Sequence, residues 1–210
     1  MFCKLFCQIN LLVIYIKIKS MNYIYNYLFL VTWISYFVYW RLMAKDVKSS
    51  VRTESTLSRL IRAISIILAF LLLWIPKFPI SLLTIRFLPD SYMVFWIGFI
   101  VTTGGLYFSV WARKCLGKNW SQAVTIKDDH QLITNGPYAI VRHPIYTGLI
   151  VGFIGSSIAL GELRGLISDL LVFGVLLYKL RLEDKWLSEQ FGESYKKYSQ
   201  KVAAFIPFIL

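Results

Sequence analysis

Charge is scarce in this chain of 210 residues: Asp, Glu, Lys and Arg together make up 16% of it, while apolar residues make up 57%. A water-soluble domain of this size has no room to hide that much apolar surface, and a mean hydropathy of +0.60 puts the chain in a bilayer. Histidine occurs only twice, which excludes a histidine-rich di-metal oxidase. The three cysteines, Cys3, Cys7 and Cys115, are odd in number and show no metal-ligand or redox spacing, so they do not suggest a disulfide frame. No Gly-x-Gly-x-x-Gly and no Walker loop is present, and a soluble dinucleotide-binding domain is unsupported. Repeated halves, broken helices and low-complexity linkers are also missing, which weakens a transporter reading. Acidic residues are few, 11 against 23 Lys and Arg, for a net charge of +12. A nucleic-acid binder would carry such a surplus as a stripe on a folded soluble face, whereas here the basic residues sit between apolar spans. Neither nucleic acid nor a metal is expected as a partner.

What the chain has is long apolar runs. A hydrocarbon core of ~30 Å needs roughly 20 helical residues, or about 17 with little tilt and an adapting bilayer. Five stretches approach that: Tyr23 to Trp40, Leu60 to Phe78, Ser91 to Trp111, Ile145 to Leu160 and Gly165 to Leu180. The last two are joined by Gly161-Glu162-Leu163-Arg164 and read as an antiparallel helical hairpin. The expected fold class is therefore all-α, a polytopic membrane protein with about five transmembrane helices.

Orientation follows from the connections. Arg41, Lys45, Lys48, Arg52, Arg59 and Arg62 lie between the first two spans. Arg113, Lys114, Lys118, Lys127 and Arg142 lie between the third and fourth, and Lys179, Arg181, Lys185, Lys196, Lys197 and Lys201 follow the fifth. The opposite side holds Lys77, Arg86 and Arg164. The positive-inside rule places the C-terminus and the chemistry on the cytoplasmic face of a multi-pass integral membrane protein. Phe2–Ile18 is apolar but interrupted by Lys4, Gln8, Asn10 and Lys17, with no small-residue cleavage site after it. Initiation at Met21 would leave five spans with no leftover segment; a short interfacial N-terminal helix is the alternative.

Polar and aromatic residues cluster between Leu116 and Phe208 in a pattern that anchoring does not require. Gly136-Pro137 makes a turn, and Pro144 disfavours helix at His143 while suiting the first helical turn, so the fourth span should begin there. Arg142 and His143 then stand at a helix N-terminus, where free N–H groups and the positive dipole suit a carboxylate. Tyr138 and Tyr146 bracket them, offering ring faces to a sulfonium or an adenine. Singly, these residues read as an interfacial basic anchor and an aromatic belt. Together, and with Glu183 and Asp184 beyond the last span, they read as a site. The two carboxylates suit ribose hydroxyls or an α-ammonium, although Glu183 also has Lys179 and Arg181 as simple helix partners. Asp169 lies within an apolar span but near its outer end. Gly148, Gly152 and Ser156 form a small-residue face for close helix packing. Gly104-Gly105 either joins such packing or makes room for a lipid tail.

The ordered motifs Gly-Pro-Tyr at 136–138, Arg-His-Pro-Ile-Tyr at 142–146, Glu-Asp-x-x-Leu-x-x-x-Phe-Gly-x-x-Tyr-x-x-Tyr from Glu183 to Tyr198, and Val-x-x-Phe-Ile-Pro from Val202 resemble the isoprenylcysteine carboxyl methyltransferase and phospholipid methyltransferase group. The resemblance covers roughly Leu116 to Phe208; the leading spans match in hydropathy alone. It implies S-adenosylmethionine as cofactor, held in a cytosolic pocket built on the last helices, and a lipophilic substrate entering from the bilayer among membrane lipids. It divides the chain into N-terminal transmembrane helices, 1–115, and a cofactor-binding and catalytic region, 116–210. His130, Gln131, Leu132, Ile133, Tyr138, His143, Pro144, Ile145, Tyr146 and Glu183 fall on the family's cofactor contacts. Arg142 falls on the arginine that orients the substrate carboxylate, so that Arg142 and Glu183 are the catalytic candidates and Arg142 and Lys179 the substrate-binding ones.

Two positions depart from the pattern: Asp184 stands where a second Glu is common, and Lys179 where a substrate-side Arg is expected, and the two cations are not equivalent at a bidentate site. A carboxylate acceptor is already ionised, and its attack on a sulfonium methyl needs alignment and desolvation more than a base. The alternatives are methyl transfer to a phospholipid or other small lipid, with Glu183 or Asp184 as proton acceptor, an NADPH-dependent sterol-type reductase, which shares a His-Pro-x-Tyr motif, and a non-enzymatic membrane protein.

Overall fold

The computed structural model describes residues 27–44, 50–75, 78–117, 125–127 and 132–206. The chain divides into two units, residues 1–42 and 43–210. The first is represented by helix α1, residues 27–43. Its rings follow helical spacing: Trp33 stacks on Phe37 at 6.0 Å and Tyr36 meets Trp40 edge-on at 5.6 Å. The expected start at Tyr23, and everything proposed for residues 1–20, lies outside the described residues.

In the second unit, α2 (Thr56–Trp74) begins where the Ser55 hydroxyl accepts the Ser58 N–H at 3.2 Å. It starts four residues before the expected Leu60 and stops short of Pro76, whose ring disfavours helix in the residue before it. Helix α3 (Tyr92–Leu116) starts on the Ser91 cap and ends where Gly117 turns to φ +54°. Helix α4 (Pro144–Leu160) starts at the expected proline and ends at the left-handed Gly161. Helix α5 (Leu163–Phe191) follows after Glu162 alone and runs 29 residues, well past the expected Leu180. At 1.5 Å per residue it is ~43 Å long, so about a third of it exceeds a ~30 Å hydrocarbon layer. A short α6 (Glu193–Lys201) turns back from Gly192.

The fold is helical, as expected, with one addition. Strands β1 (Ser50–Thr53) and β2 (Thr125–Lys127) pair antiparallel and join the α1–α2 and α3–α4 connections. Three or four residues with no apolar alternation give no strand signal in the sequence. Two described helices, α2 and α3, are long and apolar enough to cross a membrane, and α4 is apolar but shorter.

Helices α2 to α5 run alternately up and down. On α3, Gly98 lies against Gly155 and Ala159 of α4, and Gly105 against Gly148 and Gly152, so the two are antiparallel at backbone contact. The Thr102 hydroxyl donates to the Gly152 carbonyl at 3.1 Å and lies 3.3 Å from the Ser156 hydroxyl. The small-residue face of α4 is thus a packing face, as expected. Gly105 serves it while a side chain at Gly104 would meet nothing within 4 Å. Helix α2 is antiparallel to α5: the Ser168 hydroxyl donates to the Ala69 carbonyl at 3.0 Å, and Arg164 donates to the Ile75 carbonyl at 2.6 Å. Arg164 also pairs with Glu162 at 2.7 Å, and Asp169 accepts from Ser157 at 2.9 Å close to the same turn. These groups mark one end of the bundle. The start of α2, the end of α3, the start of α4 and the point where α5 outruns its apolar stretch share the other.

Candidate active site

At that second end the polar side chains converge. His143 caps α4 and is 6% exposed; its imidazole is held between two carboxylates that α5 presents one residue apart. Nε2 lies 2.6 Å from Asp184 Oδ1 and Nδ1 lies 3.5 Å from Glu183 Oε2. Burial alone would lower the histidine pKa, but the hydrogen bonds to Asp184 and then Glu183, with their charges, hold it above the ordinary value of 6.5. Burial would likewise raise Glu183, but the Lys179 charge and the His143 contact hold it below the usual carboxylate range. Asp184 is also held low: the hydrogen bond and charge of His143, then the Tyr195 hydroxyl and Arg142, outweigh its burial. The side chains of Glu183 and Asp184 remain 21% and 23% exposed, so solvent or a ligand reaches both.

Tyr146, one turn into α4, stacks parallel to His143 with ring centroids 5.5 Å apart and donates its hydroxyl to Glu183 Oε1 at 2.5 Å. Lys179, one turn before Glu183 on α5, places its ammonium 3.8 Å from Glu183 Oε1 and 4.9 Å from the centre of the Tyr146 ring. That ring already receives a protein cation. Tyr195 of α6 donates to Asp184 Oδ1. Asp184 therefore ties α4, α5 and α6 together through His143 and Tyr195, and takes Arg142 on its other oxygen at 3.2 Å.

Arg142 is built into the frame more than the sequence suggests. One terminal nitrogen donates to the carbonyls of Ser199 and Val202 at 2.7 and 2.8 Å, and the other to Asp184. The backbone N–H groups of Arg142 and His143, expected to be free for an anion, are taken by the carbonyls of Ala203 and Ala204 at 2.8 and 3.1 Å. Thr147 adds a bond to the Phe205 carbonyl at 2.8 Å. The C-terminal segment is thus strapped across the start of α4. Arg142 Nε is buried without a partner. A buried donor left so is costly, and a ligand carboxylate would satisfy it.

The predicted site residues Tyr138, Arg142, His143, Pro144, Tyr146, Lys179 and Glu183 come from α4, α5 and the turn before α4. Tyr138 is buried, and its carbonyl accepts the Tyr198 hydroxyl at 2.6 Å. Pro144 is buried beneath the cluster as the first residue of α4 and Ile145 is half-buried beside it; Leu132 and Ile133 are half-buried in the preceding segment. His130 and Gln131 lie outside the described residues. Asp184 and Tyr195 carry more of the structure than the sequence indicated. Their motif was visible, but a contact across 11 residues and a glycine turn has no periodic signal.

Residues 93–194, which hold all of that histidine–carboxylate–tyrosine cluster except Tyr195, match the family described as phospholipid methyltransferase. Among curated proteins the chain is similar to a protein-S-isoprenylcysteine O-methyltransferase of Schizosaccharomyces pombe, 33% identical over 136 residues, covering 63% of this chain and 56% of the relative. It is also similar to the enzyme of that name from Saccharomyces cerevisiae, 34% identical over 120 residues, 54% of this chain and 48% of the relative. A probable protein-S-isoprenylcysteine O-methyltransferase of Oryza sativa subsp. indica is 28% identical over 125 residues, 58% and 65%. The chain spans about half to two thirds of the length of these relatives. Its similarity to these proteins runs through the motifs from Gly136 to Tyr198.

Proposed function

We propose that this chain transfers a methyl group from S-adenosylmethionine to the carboxylate of an isoprenylcysteine-like, lipophilic acceptor. The observation that carries the reading is the placement of His143: Nε2 lies 2.6 Å from Asp184 Oδ1 and Nδ1 lies 3.5 Å from Glu183 Oε2, so both ring nitrogens face carboxylates. His143 has no ring nitrogen turned to an incoming acceptor as a base. A carboxylate acceptor needs no base, whereas an amine or phenol acceptor does, and this favours the first over phospholipid or other small-lipid methylation.

When bound, S-adenosylmethionine supplies an electrophilic methyl on a sulfonium. The residues present fit it: Glu183 and Asp184 are reachable anions for its ammonium or ribose hydroxyls, and the unpartnered Arg142 Nε is a donor for a carboxylate. In this reading Arg142 keeps one donor for the ligand while its other donors fix the C-terminal strap. Glu183 is aligned by Tyr146 and Lys179. His143 fixes the spacing of the two carboxylates rather than moving a proton, and Tyr138, Pro144 and Ile145 wall the site with Leu132 and Ile133.

The same reading makes the protein a multi-pass membrane protein with five spans: α1, α2, α3, α4 and the apolar part of α5. Its site and C-terminus face the cytosol, with the spans of 1–115 as the lipid-facing part and 116–210 as the catalytic part. Among the described residues of the second unit Arg59, Arg62, Arg113, Lys114, Arg142 and Lys179 lie at the site end, in support of that orientation.

Calorimetry on the detergent-purified protein tests the proposal. Micromolar binding of S-adenosylmethionine, lost in Glu183→Ala and His143→Ala with the fold retained, is the expected result. No binding to folded wild type would overturn it, and binding of NADPH instead would transfer the chain to the reductase class.

A further inference from the structure

Helix α2 brings a buried ion pair to the site that methyl transfer, as described, does not use. Glu54, just before the helix, is 4% exposed. It receives Arg62 through both oxygens, Nη1 to Oε2 at 2.7 Å and Nη2 to Oε1, and the Ser58 hydroxyl at 2.8 Å. Arg62 shares a helix face with Ile66, Ala69 and Leu73, the face that packs on α5. The antiparallel register fixed by Ser168–Ala69 and Arg164–Ile75 carries Arg62 towards Lys179, and its charge acts on Lys179, Glu183 and Tyr146.

A guanidinium has five N–H donors, and this end-on pairing engages two; the other three turn away from Glu54. On its outer side α2 presents exposed Leu60, Ile61, Ile64, Ile67 and Leu71.

We propose that Arg62, held in place by Glu54, is an acceptor-binding residue whose outward N–H groups take the carboxylate of the lipid-tailed acceptor beside Lys179. Glu54 is the positioning residue: it fixes the plane of the fork, which Lys179 cannot supply as a point charge. This rests on the methyl-transfer reading and names the group that selects its acceptor.

The test compares N-acetyl-S-farnesylcysteine with its neutral carboxamide, measuring Kd by calorimetry with saturating S-adenosylhomocysteine. Wild type should bind the carboxylate about tenfold more tightly, as a charge-assisted pair would give. Arg62→Gln should erase that preference while leaving carboxamide and S-adenosylmethionine binding within about twofold, and Arg62→Lys should keep part of it. Should Arg62→Gln fail to fold with Glu54 left unpaired, the Glu54→Gln/Arg62→Gln double variant removes the orphan charge and should give the same loss. A preference that survives either glutamine variant overturns the proposal. So does a wild type that binds S-adenosylmethionine but does not distinguish the two probes, a result that leaves methyl transfer standing. A wild type that binds no S-adenosylmethionine overturns both.

Discussion

His143 Nε2 lies 2.6 Å from Asp184 Oδ1, joining the cap of α4 to the stretch of α5 that outruns its apolar part. Because Tyr195 and Arg142 meet the same carboxylate, this contact closes the site end of the bundle. Asp184→Ala leaves Arg142, His143 and Tyr195, all three mostly buried, without their acceptor. Breaking such a pair costs about 3 kcal/mol, and Asp184→Asn should cost less because one oxygen remains. Thermal unfolding in detergent should show both losses in that order.

Tyr146→Phe keeps the ring stacked on His143 and removes only the hydroxyl bonded to Glu183. Loss of one charge-assisted bond is worth about 1.5 kcal/mol, so S-adenosylmethionine binding should weaken about tenfold by calorimetry and Tm should fall by about 3–6 °C. An equal Kd in the variant would show that Glu183 does not need this bond to meet the ligand.

Stability should have a plateau in pH. His143 is raised above its ordinary 6.5, so its contribution is complete below 6.5 and is lost as pH rises through the folded value. Glu183 and Asp184 are lowered from 4.5 and 3.8, so their contributions are complete above those values and are lost as pH falls through the folded ones. Tm should therefore be highest between 4.5 and 6.5 and decline on both sides. In His143→Gln the decline on the alkaline side should shrink.

A methyl group at Gly148 would lie 2.4 Å from the Gly105 carbonyl oxygen, whereas one at Gly104 would meet nothing within 4 Å. Gly148→Ala should destabilise by about 1–3 kcal/mol through forced separation of α3 and α4. Gly104→Ala should be neutral or stabilising by up to ~1 kcal/mol, as removal of a helical glycine allows. Unfolding of the two variants side by side checks the pair.

Much of this was legible in the chain, and the exceptions have physical causes. The starts of α3 and α4 followed from Ser91 and Pro144, because caps and prolines act locally. The fifth apolar span was bounded at Leu180 because hydropathy stops there, while the length of its continuation, helical through Arg181 to Gln190, had no hydropathy signal. Arg62 was counted among the basic residues of a connection, since nothing local says that the second helix will turn the Arg62 face onto α5. That neighbourhood comes from the α2–α5 register, a property of packing across more than a hundred residues. Arg142 was read as open to ligand because the carbonyls that engage it, at Ser199 and Val202, are backbone atoms that any sequence would supply.

The strap over the start of α4 has a consequence for biosynthesis. Arg142 and His143 find their backbone partners at Ala203 and Ala204, and Thr147 finds its own at Phe205. Among the described residues the long helices are complete by Phe191, so a nascent chain passes through a stage in which its helical hairpins are made and its cluster is still open. Closure waits for translation through Phe205, which makes this site a late event in the protein's maturation and exposes its charged groups to solvent until then.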